Sequence, residues 1–168
     1  MSTDYFHIQL PQAVEVLVPL ENAAEVTTLT RRDICPIPGV APEFLGVLNH
    51  RGRLLWVLDL SAVLGLAPQS TRFRAQDKLT LIVIVAGATN PTTGQAELQL
   101  GCVISTLKGL VSLGDILPNH PPTQVSPIHT AFVSGATEIN NSIVALLNAN
   151  AVFAAFQPSL PTTSMVQV

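Results

Sequence analysis

Two short apolar runs, residues 46–49 (Gly-Val-Leu-Asn) and 54–58 (Leu-Leu-Trp-Val-Leu), flank the tetrapeptide His50-Arg51-Gly52-Arg53. This pattern narrows the possible folds more than any other stretch of the chain. An X-Gly pair between β-rich runs is the local signal of a tight hairpin turn, because glycine accepts a positive φ without steric cost. Such a turn displays Arg51 and Arg53 at or near its tip, between oily strands. A proline-bounded lead-in, residues 34–39, comes before the hairpin, and residues 60–65 (Leu-Ser-Ala-Val-Leu-Gly) read as a helical turn after it. Asp59 stands where a helix N-cap belongs, and that role outweighs general acid or base chemistry for it.

The rest of the chain continues in the same style. Residues 5–10 and 13–18 alternate between apolar and polar, and Pro11 and Pro19 bracket them too tightly for a helix. Residues 26–29 are β-prone, and Arg31-Arg32-Asp33 forms a charged loop. Residues 67–77 are polar and aperiodic, a surface loop. Residues 78–86 are almost all apolar and rich in Ile and Val, as in a strand buried on both faces. Residues 87–94 make a turn-rich hairpin loop, and 95–104 alternate and form the return strand. Residues 106–113 read as a further strand. Four prolines make 117–127 an extended connection. Residues 131–135 form a strand–glycine step, 142–147 a strand and 148–156 a closing helix with Asn148 as its cap. The unit at 46–65 and the unit at 135–156 share the order glycine step, strand, turn, strand, cap, helix, which indicates two related halves. Residues 157–168 carry no pattern and read as a disordered tail. Many short strands with little helix point to β-barrels.

Charge excludes several function classes. Only 11% of the 168 residues are charged, against about 25% in ordinary domains. Seven of the eight basic residues precede Leu79, and from there on only Glu97, Lys108, Asp115 and Glu138 are charged. Either a partner covers part of this neutral half, or its surface is built of Thr, Ser, Asn and Gln. A net charge of −3 argues against nucleic acid as the main partner. No apolar run reaches the length of a membrane span, and the N-terminus lacks a signal peptide. A cytoplasmic location is expected, with Cys35 and Cys102 as reduced core thiols. The histidines (His7, His50, His120, His129) show no metal-type spacing, so neither metal nor cofactor is expected. With no nucleophile elbow and no phosphate loop, no catalytic residue is assigned and the expected class is not an enzyme.

The ordered set Pro-x-Pro-Gly, Phe44-x-Gly46, Val47-x-Asn49-x-Arg51-Gly52, then a strand ending Asp59-Leu60, resembles CheW-like domains. These are adaptors linking methyl-accepting chemoreceptors to a CheA-type histidine kinase. The usual wording at the turn is Asn-Leu-Arg-Gly, and here His50 replaces the leucine. Two further departures are Ser105, where an Asp is usual, and the lack of a proline in residues 54–58. The resemblance implies a mainly β fold of two packed five-stranded SH3-like barrels over residues 1–156, with the tail outside. It also implies an adaptor that docks the regulatory domain of the kinase on one barrel and holds a helical receptor tip in a groove between barrels. The partner-binding residues it implies are Glu25, Val26, Val47, Leu48, Asn49, Arg51 and Gly52, with Glu25 and Arg51 close enough to pair. His50 either tunes partner choice or is a solvated turn residue. The early first strand and the lack of kinase segments favour a stand-alone adaptor over the kinase's own regulatory domain, and two alternatives stay open. These are a free-standing homologue of the kinase's regulatory domain and an unrelated β-barrel module for a small ligand or peptide.

Overall fold

A computed structural model describes residues 3–66, 73–89, 91–92, 96–114 and 129–156. In chain order the strands are β1 (Thr3–Leu10), β2 (Val14–Pro19), β3 (Ala23–Thr30), β4 (Phe44–His50), β5 (Arg53–Asp59), β6 (Lys78–Thr89), β7 (Ala96–Ile104), β8 (Thr106–Leu113), β9 (Val133–Ile139) and β10 (Ser142–Leu147). Two short helices, α1 (Leu60–Val63) and α2 (Ala149–Ala155), follow β5 and β10. The strands form two five-stranded sheets, ordered β8-β1-β2-β10-β9 and β3-β6-β7-β5-β4. The mainly β fold with two five-stranded units that the resemblance implies is therefore present. The sheets do not close into complete barrels, since among the described residues the edge strands of each sheet are not paired with each other.

The inner strands of each sheet send side chains into a core on either face, which explains their near-continuous apolar runs. Along β5, Trp56 and Leu58 enter a core shared by the two sheets, while Leu55 and Val57 enter a core private to the second sheet. Along β6, Ile82 and Ile84 face the shared core, and Leu81 and Val83 face the private one. The first sheet repeats the arrangement with Ala145 and Leu147 against Val144 and Leu146 on β10. Strand geometry turns successive side chains to opposite faces, so one strand serves both cores.

The two related halves expected from sequence recur in the registers. In the β4–β5 hairpin, Gly46 pairs with Val57 and Phe44 with Leu58, leaving Leu45 bulged. In the β9–β10 hairpin, Gly135 pairs with Leu146 and Val133 with Leu147, leaving Ser134 bulged. Both hairpins turn through two left-handed residues, Arg51-Gly52 and Asn140-Asn141. Each then ends in a cap. The Asp59 carboxylate accepts from the Ser61 amide at 3.1 Å, and the Asn148 side chain accepts from the Ala151 amide at 3.1 Å.

Four details depart from the sequence reading. Residues 130–132 form a 3-10 turn, so β9 starts at Val133. Residues 31–33 are also a 3-10 turn, closed by a capping box in which the Thr30 amide donates to Asp33 at 3.1 Å. β6 runs on through Gly87 to Thr89 rather than ending at Ala86. Cys102 is buried and free, but Cys35 is exposed, not a core thiol. Its backbone pairs both ways with Val47, at 2.7 and 2.9 Å, at the margin of the sheet, where its side chain has no core to enter. The expectations for 67–72, 93–95, 117–127 and 157–168 lie outside the described residues.

Candidate partner-binding site

The β4–β5 turn is held by its own sequence. Asn49 Oδ1 accepts the Gly52 amide at 2.9 Å, closing the turn from within. Arg51 (φ 56°) and Gly52 (φ 76°) both take left-handed conformations, as a two-residue turn of the I′ kind requires. A non-glycine residue at positive φ is uncommon, so Arg51 is committed to the tip by backbone geometry as well as by charge. Its side chain is 71% exposed.

Glu25 comes from β3, at the opposite edge of the same sheet. The sheet rolls far enough for the two edges to meet, and Arg51 Nη2 reaches Glu25 Oε2 at 2.8 Å. The pairing of Glu25 with Arg51 expected from the resemblance is therefore formed. A third residue joins them: His50 Nε2 contacts the other carboxylate oxygen, Oε1. Both oxygens of Glu25 are thus engaged, and its side chain is only 22% exposed. The three residues form a polar seam across the rolled sheet, where continuous backbone pairing is lacking. His50, 19% exposed, is a member of the seam rather than a solvated turn residue.

The apolar candidates separate by position. Val26 is half-buried against the shared core. Val47 and Leu48 are 7% and 8% exposed and fill the shared and private cores respectively, so neither presents an open surface. The exposed apolar residue of the hairpin is Leu54, at 51%, opposite Asn49 in the register. Strand parity was the available signal for it: Trp56 and Leu58 share its face, but Leu54 sits beside the turn, past the end of the core that they fill.

A second polar cluster lies on the first sheet. Lys108 Nζ donates to Glu15 Oε1 at 2.7 Å, and His7 Nε2 is 3.0 Å from the same oxygen. The Lys108 hydrogen bond holds the Glu15 carboxyl below its ordinary value of 4.5 against the opposing effect of burial. The buried Cys102 thiol is pushed up to about 12, by desolvation first and by the nearby Asp59 charge second, which leaves it protonated and inert.

A family model for the CheW-like domain matches residues 5–157, nearly the whole chain. The chain belongs to the CheW-like family. Among solved structures, it is similar to the scaffolding protein TtCheW from Thermoanaerobacter tengcongensis, with 21% sequence identity and a TM-score of 0.66. The match covers 88% of this chain and 89% of that chain, and at this identity it supports the fold alone. No match was found among curated proteins. As a CheW-like domain the chain has the fold of a scaffold, and no helix among the described residues is long and apolar enough to cross a membrane.

Proposed function

We propose that this CheW-like chain is a non-enzymatic, cytoplasmic adaptor that couples methyl-accepting chemoreceptors to a CheA-type histidine kinase. The observation that carries this reading is the seam: an arginine fixed at a rigid turn, largely exposed, and braced from behind by Glu25. An arginine oriented in advance loses little freedom on binding, and arginines are enriched among the residues that dominate interface energetics. In this reading Arg51 contacts the receptor tip, and Asn49 and Gly52 keep the turn in the geometry that presents it. Val26 supplies apolar contact, and Val47 and Leu48 keep the hairpin rigid from inside the cores.

The test is co-purification and affinity measurement with the CheA-type kinase and receptor tips of the same genome, for wild type and Arg51→Ala. Wild type should bind both. The variant should stay folded and lose receptor affinity by at least about thirtyfold, the scale of a hot-spot arginine. Binding of neither partner by the wild-type chain would sink the adaptor reading and favour a ligand or peptide module.

A further inference from the structure

The resemblance puts a leucine where this chain has His50, and a leucine cannot contact a carboxylate as His50 does. With Arg51 on one oxygen of Glu25 and His50 on the other, the carboxylate cannot rotate without breaking one of the two contacts. An imidazole nitrogen facing a carboxylate carries its hydrogen in the neutral ring as well as in the cation, so His50 is a donor in both states. The main chain anchors His50 too, because it pairs with Arg53 across the base of the turn. Arg51 has the opposite character. Its backbone is fixed, but its side chain is mostly in solvent, and one exposed ion pair alone orients such a side chain weakly.

We propose that His50 is a positioning residue for receptor binding: by holding the second oxygen of Glu25 it fixes the carboxylate that aims the Arg51 guanidinium. The inference rests on the adaptor reading and adds to it a residue specific to this chain. His50 fixes Glu25, Glu25 fixes the direction of Arg51, and the remaining guanidinium N–H groups are presented to the receptor in one geometry. Guanidinium recognition depends on the direction of its fork, so loosening it weakens binding without removing any residue that touches the partner.

The test compares wild type, His50→Leu, His50→Gln and Arg51→Ala for affinity to the receptor tip and, separately, to the kinase regulatory domain. Leucine keeps a side chain of similar size and removes the donor, whereas glutamine restores a donor at similar reach. His50→Leu should weaken receptor binding about tenfold, the scale of one lost hydrogen bond to a charged group. His50→Gln should recover most of the loss, and kinase binding should stay at the wild-type level in both. Wild-type receptor affinity in His50→Leu, alongside a loss in Arg51→Ala, would overturn the positioning role and leave the adaptor reading standing. Equal losses in the leucine and glutamine variants, or a parallel loss of kinase binding, would also overturn it, because the effect would then come from packing. Absence of receptor binding in the wild type would end both.

Discussion

Arg51, Gly52 and Gly46 lie within one hairpin, yet the structure constrains each differently. Gly52 has a left-handed φ and open space around a would-be Cβ, so Gly52→Ala pays only the conformational cost, about 1–2 kcal/mol. At Gly46 a Cβ would lie 2.1 Å from the Cys35 carbonyl oxygen, on top of a φ of 143°. Gly46→Ala must break the Cys35–Val47 bridge or distort the bulge, and should be destabilising beyond the ~3 kcal/mol of ordinary point mutants. Urea unfolding of the two variants measures the difference, and equal losses would contradict it. The turn glycine was legible from its X-Gly context. The steric demand at Gly46 was not, because it arises from Cys35, eleven residues earlier in the chain and outside the hairpin. The contact of His50 with Glu25 was hidden for the same reason, since it spans two edges of a sheet whose roll no local pattern states.

Between elements, the Lys108–Glu15 contact ties the edge strand β8 to β2 across β1. Folding lowers the pKa of Glu15, so the folded state favours its charged form. That contribution is complete above the unfolded value near 4.5 and is lost as pH falls through the lower folded value. Lys108 is 42% exposed, so solvent screening keeps the gain below about 1 kcal/mol. Lys108→Met should therefore be slightly less stable than wild type near neutrality, and the gap should close on acidification below the unfolded value of 4.5, as Glu15 becomes protonated. A gap that widens on acidification would reverse the assigned sign. Strand existence was largely legible at this scale, because period-two alternation and punctuation by proline and glycine are local properties. Edge positions were less so. β8 read simply as a strand, but its place at the margin of the first sheet depends on pairing with β1, from Thr3–Leu113 to Gln9–Thr106.

The whole molecule is built asymmetrically along the chain and symmetrically in space. The sheet ordered β3-β6-β7-β5-β4 uses one continuous stretch, whereas the other joins β1 and β2 to β8, β9 and β10. Repetition of the hairpin units could be read from the sequence, but this division of strands between the ends could not. The two sheets share a core to which both contribute: Ile8, Val16 and Leu147 from one, Trp56, Ile82 and Cys102 from the other. An aromatic contact crosses between the repeated units, because Phe44, packed on Trp56 of its own hairpin at 5.3 Å, also meets Phe156 at 6.1 Å between ring centroids. Separating the sheets would expose the largest apolar cluster among the described residues, and full burial of each Val, Leu or Ile side chain in it is worth about 1.5–3 kcal/mol. Loss of either sheet strips the other of this shared core, so the two are expected to unfold as one cooperative unit. Native-state hydrogen exchange should give central amides of β2 and β10 the same opening free energy as those of β6 and β7. The Trp56 fluorescence transition should coincide with the loss of far-ultraviolet circular dichroism. The sheet assembled from the chain ends carries the longest-range pairings, so any division into two units would appear as earlier exchange in β2 and β10. Such early exchange would mean that the shared core is too weak to couple the halves, and that the β3–β7 sheet is the stable platform on which the seam is built.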